Sequence, residues 1–375
     1  MIVENINIFN NKPIVLVAPL DWGLGHATRC IPIINELIEQ NAEVIIAAEG
    51  ATASLLHAEF PSLVILPLKG YKVKYSRSSN NFFLKMLLQL PKIIAMIRYE
   101  KKWLQDTLAK QKIDIVIADN RFGLRDKKAL CVYVSHQLFI KTGKRYLDKI
   151  AQKIHYRLIN KFDTCWVPDI EGPGNLGGEL SHPPVLPKIK VDYLGTLSRF
   201  KKTIAAEKKC KLLIILSGPE PQRSIFESQL LTQLAAFKEP VILVRGLPGE
   251  EQNDLKENDN LVIYDHLPSI RLNELIQSSQ NIIARSGYST IMDLATLQQK
   301  AILVPTPGQT EQEYLANYML QKKLFFTCPQ KNFMITDALK LASEFEYNIV
   351  EAPGIRKEVI AEMLKGVHKS IMALQ

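Results

Sequence analysis

Cysteine is scarce in this 375-residue chain: five residues (Cys30, Cys131, Cys165, Cys210 and Cys328), widely separated, with no CxxC pair and no histidine at ligand spacing. That excludes a disulfide framework and a cysteine-based structural metal site, so reduced and mostly buried thiols are expected. Long apolar runs are also missing. None approaches the roughly 18 residues that cross a bilayer, and the opening MIVENINIFNNK lacks the charged and apolar regions of a signal peptide. A cytoplasmic location is the expectation. There is no low-complexity tract and no detectable sequence repeat. What remains is a chain of 47% apolar residues, the composition of a globular protein, with a length that suits two ordinary domains.

Charge of one sign is short only in the first half. Residues 1–200 hold 27 Lys and Arg against 18 Asp and Glu, whereas residues 201–375 hold 20 of each, so the whole net charge of +9 lies in the first half. Within it, residues 121–161 carry 11 basic and 2 acidic side chains, with Lys141, Lys144, Arg145, Lys149, Lys153 and Arg157 on an expected helix. Such a field attracts an anionic lipid surface or an anionic acceptor; it is equally what a solvated, lysine-rich helix face looks like. No nucleic-acid partner is expected. Upstream, SSNNFFLKMLLQLPKIIAMIRYEKKW joins Phe82, Phe83, Leu84, Leu87, Leu88, Ile93, Ile94 and Ile97 to Lys85, Lys92, Arg98 and Lys101. It reads either as a helix lying on a membrane or as a core helix interrupted at Pro91.

Short apolar runs alternate with helical patterns throughout. IVLVAP, VIIAA, LVILP, DIVIAD, CVYVS, TCWVP and VDYLG mark the first half, and KLLIILS, PVILVRG, NLVIYD, NIIARS and AILVP the second. Runs of four to seven apolar residues between helices indicate parallel sheets covered on both faces. The expected class is α/β, with two doubly wound domains that bind ligands at the carboxyl ends of their strands. The expected division is 1–196 for a first domain, 197–209 for a linker and 210–352 for a second domain. A final helix over 353–375 is expected to cross back to the first. The Gly- and Pro-rich EGPGNLGGELSHPPVLPK is expected to be a loop.

Residues 284–317, ARSGYSTIMDLATLQQKAILVPTPGQTEQEYLAN, carry the densest chemistry. A strand ends in small residues at the start of a helix, so Ser286 and Gly287 offer an anion site of backbone N–H groups. Asp293 follows two turns into that helix, and a second strand then leads through PTPGQTEQ into another helix with Glu311 and Gln312. In the first half, LDWGLGHATR supplies Gly23, Gly25, His26 and Arg29 directly after the first strand, where glycines permit a tight turn and close approach to a ligand. A dinucleotide fingerprint is the competing reading of this loop, supported by Glu49 at the end of the second strand but incomplete because Thr28 occupies the third glycine position.

In that order the RSG turn, helix acid, proline-ended strand and acid-Gln pair resemble the C-terminal half of GT-B glycosyltransferases, which have two facing Rossmann-like domains. The likeness is to glycosyltransferase family 28, which includes the N-acetylglucosaminyltransferase that forms lipid II. The N-terminal loop is similar to that family's GxGHxxR entry. The resemblance implies an inverting glycosyltransferase that takes a UDP-sugar as co-substrate, with no cofactor and no metal, and acts on a lipid-linked or cell-envelope acceptor. It implies His26 or Asp119 as base, and Gly23, Gly25, Ser217, Gly218, Arg223, Arg285, Ser286 and Gly287 around the diphosphate. His266 and Leu267 would then read the nucleobase, Asp293 the ribose, and Glu311 and Gln312 the sugar, with Asn317 in support. The chain departs from the family's glycine-rich loop after Ser217, because Pro219 and Pro221 remove two N–H donors. No Asp-X-Asp motif occurs, unlike metal-dependent single-Rossmann enzymes. Two alternatives stay open: a UDP-sugar 2-epimerase or hydrolase of the same fold, and a non-catalytic nucleotide-sugar-binding protein.

Overall fold

The computed structural model describes residues 12–71, 82–141, 145–203, 210–247, 255–258 and 260–373. The first sheet contains β1 (Ile14–Pro19), β2 (Glu43–Ala48), β3 (Val64–Pro67), β4 (Ile115–Asp119), β5 (Leu130–Val134), β6 (Thr164–Val167) and β7 (Lys190–Tyr193), in the order β3-β2-β1-β4-β5-β6-β7 and all parallel. Helices α1 (Leu24–Glu39), α2 (Gly50–Glu59), α3 (Phe82–Lys110) and α4 (Arg145–Ile159) connect its strands. Alternate strand residues face opposite sides: Val15, Val17, Ile115 and Ile117 join one buried cluster, Leu16, Ala18, Val116 and Ala118 the other. Both faces being covered explains why these strands read as unbroken apolar runs.

The second sheet repeats the scheme with β8 (Cys210–Ile215), β9 (Val241–Val244), β10 (Leu255–Asn258), β11 (Leu261–Tyr264), β12 (Ser279–Ala284), β13 (Ile302–Leu303) and β14 (Phe326–Thr327). Its order is β10-β11-β9-β8-β12-β13-β14, and only the edge strand β10 runs antiparallel. Helices α5 (Gln222–Leu234), α6 (Ser269–Ser278), α7 (Tyr288–Thr296), α8 (Thr310–Gln321) and α9 (Ile335–Glu344) pack around it. In each sheet the strand order reverses beside the first strand, between β1 and β4 and between β8 and β12. Crevices open there at the carboxyl ends.

Two chain crossings join the domains, and they are stitched together. Thr196 N donates to Pro353 O at 3.1 Å, and Arg356 N to Leu194 O at 2.7 Å. Gly195, at φ +76°, lies so close that a Cβ there would sit 2.3 Å from Gly354 O. Helix α10 (Lys357–Ala373) then places Val359, Ile360 and Leu364 in the core of the first domain, and Lys357 pairs with Glu36 and Glu39 of α1 at 2.8 and 2.6 Å.

The long helix α3 continues through Pro91 without a break, so the interruption expected there is absent. The side chains of residues 82–90, which include Phe82, Phe83, Leu84, Lys85, Leu87 and Leu88, lie outside the described residues, as do Lys144, the side chain of Arg145 and residues 204–209 of the linker. All five cysteines are unpaired, four of them buried. No helix among the described residues is long and apolar enough to cross a membrane.

Candidate active site

In the first domain the crevice is built at the ends of β1, β4 and β5. Gly23, at φ +90°, caps α1 and turns the chain directly from strand to helix. His26 and Arg29 then sit one turn apart on α1, facing the end of β4, where Asp119 lies in register with Pro19. Asp119 is fully buried. His26 Nδ1 is 2.9 Å from Asp119 Oδ2, and Arg29 Nε donates to both carboxylate oxygens at 3.0 Å while a terminal nitrogen also donates to Oδ1. The other terminal nitrogen donates to His136 Nδ1 at 2.6 Å. Burial alone would raise the Asp119 carboxyl, but Arg29 and then His26 overcome it and hold it at about 2. His26 is pushed below its ordinary value of 6.5, first by burial and then by Arg29, with Asp119 opposing.

Three chain segments of the second domain follow the carboxyl ends of its strands, and the starts of α7 and α8 reach this cluster. Gly218, at φ +101°, follows β8 and approaches Thr306. Ser286 and Gly287 follow β12, with Gly287 capping α7, and Thr306–Gln309 lead into α8. Ser286 is fully buried, and its hydroxyl donates to Gln312 O at 2.9 Å; Gln312 Oε1 in turn accepts from Thr306 N at 2.9 Å. Gln312 thus braces the loop before α8. Arg285 lies beneath these segments at 1% exposure. It donates to Gln222 O at 3.1 Å and to Val304 O at 3.3 Å, and stacks over Phe226 at 4.3 Å. It therefore ties the start of α5 to the loop after β13, and burial pulls its guanidinium down to about 10. The glycine loop of the first domain meets α7 directly, since Ser289 Oγ donates to Gly25 O at 2.9 Å.

Not every residue anticipated from the sequence faces open space. Arg223 is turned to Glu220 and Glu227, at 2.6 Å each, and its charge is satisfied within α5 and the preceding turn. Leu267 is buried in the second domain's core. His266 beside it is pushed below 6.5 by burial and by Arg199. Asp293 accepts from Ser198 Oγ of the linker at 2.6 Å, and burial raises its carboxyl to about 6. Asn317, on α8, is exposed.

Two residues not singled out from the sequence sit beside these candidates. Arg199, in the linker beside Asp293 and His266, has its Nε and one terminal nitrogen buried without a hydrogen-bond partner, and burial lowers its pKa despite Asp293 and Glu59. His136 lies two residues past the end of β5, with Nε2 2.8 Å from Glu311 Oε1 of the second domain. Position at a strand's carboxyl end, the signal that picked out Asp119, was available for His136. Arg199 had only its place in the linker.

Residues 224–344 match the glycosyltransferase family 28 C-terminal domain. An uncharacterized glycosyltransferase of Methanosarcina acetivorans is 24% identical over 78% of this chain and 79% of its own length. The UDP-N-acetylglucosamine--N-acetylmuramyl-(pentapeptide) pyrophosphoryl-undecaprenol N-acetylglucosamine transferase of Thermosipho melanesiensis is 28% identical over 44% of this chain and 50% of its own. Among solved structures, a spinosyn rhamnosyltransferase complexed with thymidine diphosphate superposes with a TM-score of 0.60 at 14% identity, covering 94% of this chain and 100% of that one. The fold is GT-B, residues 224–344 form a glycosyltransferase family 28 C-terminal domain, and the enzyme is a glycosyltransferase.

Proposed function

We propose that the protein is an inverting, metal-independent transferase that moves a hexose or N-acetylhexosamine from a UDP-sugar to a lipid-linked or cell-envelope acceptor. The observation that carries this reading is the convergence of the His26–Asp119–Arg29 cluster with the start of α7, through the contact of Gly25 with Ser289. A base and an anion site face each other across one crevice, as an in-line displacement at an anomeric carbon requires.

Both Asp119 and a terminal nitrogen of Arg29 lie within hydrogen-bond range of His26 Nδ1, at 2.9 and 2.6 Å. That Arg29 nitrogen also donates to Asp119 Oδ1. For His26 to act as base its proton must stay on Nδ1 and go to the Asp119 carboxylate, with the Arg29 N–H spent on Asp119, so that Nε2 is left as acceptor. Nε2 takes the proton of the acceptor hydroxyl while that oxygen bonds to the anomeric carbon. The bond from that carbon to the diphosphate oxygen breaks on the opposite face, which inverts the centre. Backbone N–H groups at the start of α7 and the macrodipoles of α5 and α7 stabilise the departing UDP without a divalent ion. Asp119, held at about 2 by Arg29, orients the base and does not itself take the proton.

Arg199 and Asp293 are the residues for the nucleoside, a guanidinium with two buried, unpartnered nitrogens beside a buried carboxyl group. The donor and acceptor classes are supported by what the Thermosipho relative is named for, a UDP-sugar and an undecaprenol-linked acceptor. A surface suited to lipid is present on α4: Tyr146, Ile150 and Ile154, spaced four residues apart, are 62%, 55% and 55% exposed. Lys149, Lys153 and Arg157 flank them. Such a stripe docks on anionic headgroups and fits a peripheral enzyme at a cytoplasmic membrane face.

Thermal shift with UDP, GDP, TDP, NAD and UDP-sugars, with and without EDTA, tests the donor. Stabilisation by UDP and one UDP-sugar in EDTA is expected; stabilisation by NAD alone, or by no nucleotide, overturns the reading. Release of UDP without an acceptor, together with an isomerised sugar, would instead mark an epimerase.

A further inference from the structure

We propose that His136 is a positioning residue for the donor sugar: standing on the first domain, it holds the Glu311 carboxylate of the second, so that sugar recognition is completed only when the domains are together. This rests on the donor reading above. His136 is 6% exposed, and three sides of its ring are occupied. Arg29 donates to Nδ1 at 2.6 Å, Nε2 meets Glu311 Oε1 at 2.8 Å, and the ring stacks on Tyr288 with centroids 4.2 Å apart and planes 26° apart. An arginine can only donate, so Nδ1 accepts and the ring proton on Nε2 points at Glu311. Arg29 is itself clamped by Asp119. A directed chain, Asp119–Arg29–His136–Glu311, therefore runs from the base cluster to the sugar end of the donor site.

Within that chain Asp119 and Arg29 are buried, whereas the side chain of Glu311 is 32% exposed and is the member open to a ligand. His136 occupies Oε1, which leaves Oε2 for a sugar hydroxyl. Through Tyr288 and Glu311 the same ring touches the first turns of both α7 and α8, the two helices that begin at the donor loops. One face of α8 is held in the same way on either side of Glu311: Thr310 Oγ donates to Lys141 O at 3.2 Å, Glu179 N donates to Tyr314 Oη at 2.8 Å, and Tyr318 Oη lies 3.1 Å from Asn175 Oδ1. These other contacts seat the helix; His136 alone among them engages the carboxylate at its start.

The test uses the full chain and calorimetric titration of UDP and of the UDP-sugar that best stabilises it, with wild type, His136→Ala, His136→Gln and Glu311→Gln. In the histidine variants UDP affinity is expected to stay within about twofold. The extra affinity contributed by the sugar should fall about tenfold, the loss expected of a hydrogen bond to a charged group. His136→Gln, which keeps a donor, should recover part of it. A double variant with Glu311→Gln should be no worse than Glu311→Gln alone. A purely structural role would lower the melting temperature and both affinities together. An unchanged sugar contribution, or additive losses in the double variant, overturns the positioning role while leaving the donor reading intact. Failure of the wild type to bind any nucleotide sugar overturns both.

Discussion

Replacing Asp119 by Asn removes one charge from the centre of the His26–Arg29–His136 cluster while keeping its shape. The carboxyl is held at about 2 against an ordinary 3.8, and a folded-state pKa below the unfolded one stabilises the protein at every pH above about 4. That stabilisation, about 2–3 kcal/mol, is lost as pH falls from 4 towards 2. The substitution also leaves Arg29, only 3% exposed, without its counter-charge, so a loss of about 3–5 kcal/mol at neutral pH is expected, of which the linkage figure is a part and not an addition. Turnover should fall further than stability suggests. An amide no longer selects the Nδ1–H tautomer of His26, and losses on the order of 10³–10⁴ in kcat accompany such a change. Because Asp119 opposes the lowering of the His26 pKa, the acid limb of any residual activity should move to lower pH. Single-turnover transfer at saturating donor, run from pH 4 to 8 beside calorimetric UDP binding, reads all three. A folded Asp119→Asn enzyme within about fivefold of wild-type kcat, or an acid limb that moves up, refutes the assignment of His26 as base and Asp119 as its orienting group.

In the wild type, activity should hold to below pH 6.5 and then decline as His26 is protonated; a profile flat down to pH 3 would point to the Asp119 carboxylate as base. Asp293→Asn should raise the melting temperature of the free enzyme at pH 7 while weakening UDP binding about tenfold or more. The reason is that a carboxyl raised to about 6 destabilises the fold by about 2–3 kcal/mol once pH exceeds that value; a lowered melting temperature contradicts this. Ile360→Ala, which empties a fully buried position where α10 meets the first domain, should cost about 2–5 kcal/mol in denaturant unfolding, and a change under about 1 kcal/mol would mean that the brace is dispensable. Ile150→Asp with Ile154→Asp should abolish sedimentation with anionic vesicles at low salt and leave UDP binding unchanged; vesicle binding that survives places lipid contact elsewhere.

The strand rhythm made the two doubly wound sheets legible, because fully buried parallel strands have to be apolar at every position. Val15 to Ala18 and Val116 to Ala118 alternate between two cores and so appear as continuous runs. Strands β10 and β14 escaped notice for the opposite reason: LKEN lies at an antiparallel edge and two-residue FT is too short to show any period. Gly23, His26, Ser286 and Asp293 could be singled out as candidates because their local pattern is chemical as well as periodic. His136 and Arg199 were not, since each depends on partners distant in the chain: Glu311 lies 175 residues from His136, and the buried guanidinium of Arg199 is recognisable only once the linker is seen against Asp293. Arg223 illustrates the reverse case, a charge counted for the donor that the fold neutralises with Glu220 and Glu227.

The stitch between Leu194–Thr196 and Pro353–Arg356 bears on how this enzyme opens. Two separate crossings would let the domains twist, slide and tilt independently, but segments hydrogen-bonded to each other at a glycine pair behave as one pivot. Opening is then confined largely to swinging about a single axis, with α10 as the arm fixed to the first domain. A rotation about that axis that parts the two sheets has to break the contacts that cross between them, His136 with Glu311 and Ser289 with Gly25. Catalytic-site geometry and domain position are thereby coupled in one motion: the glycine loop of the first domain and the start of α7 come together or part as a unit.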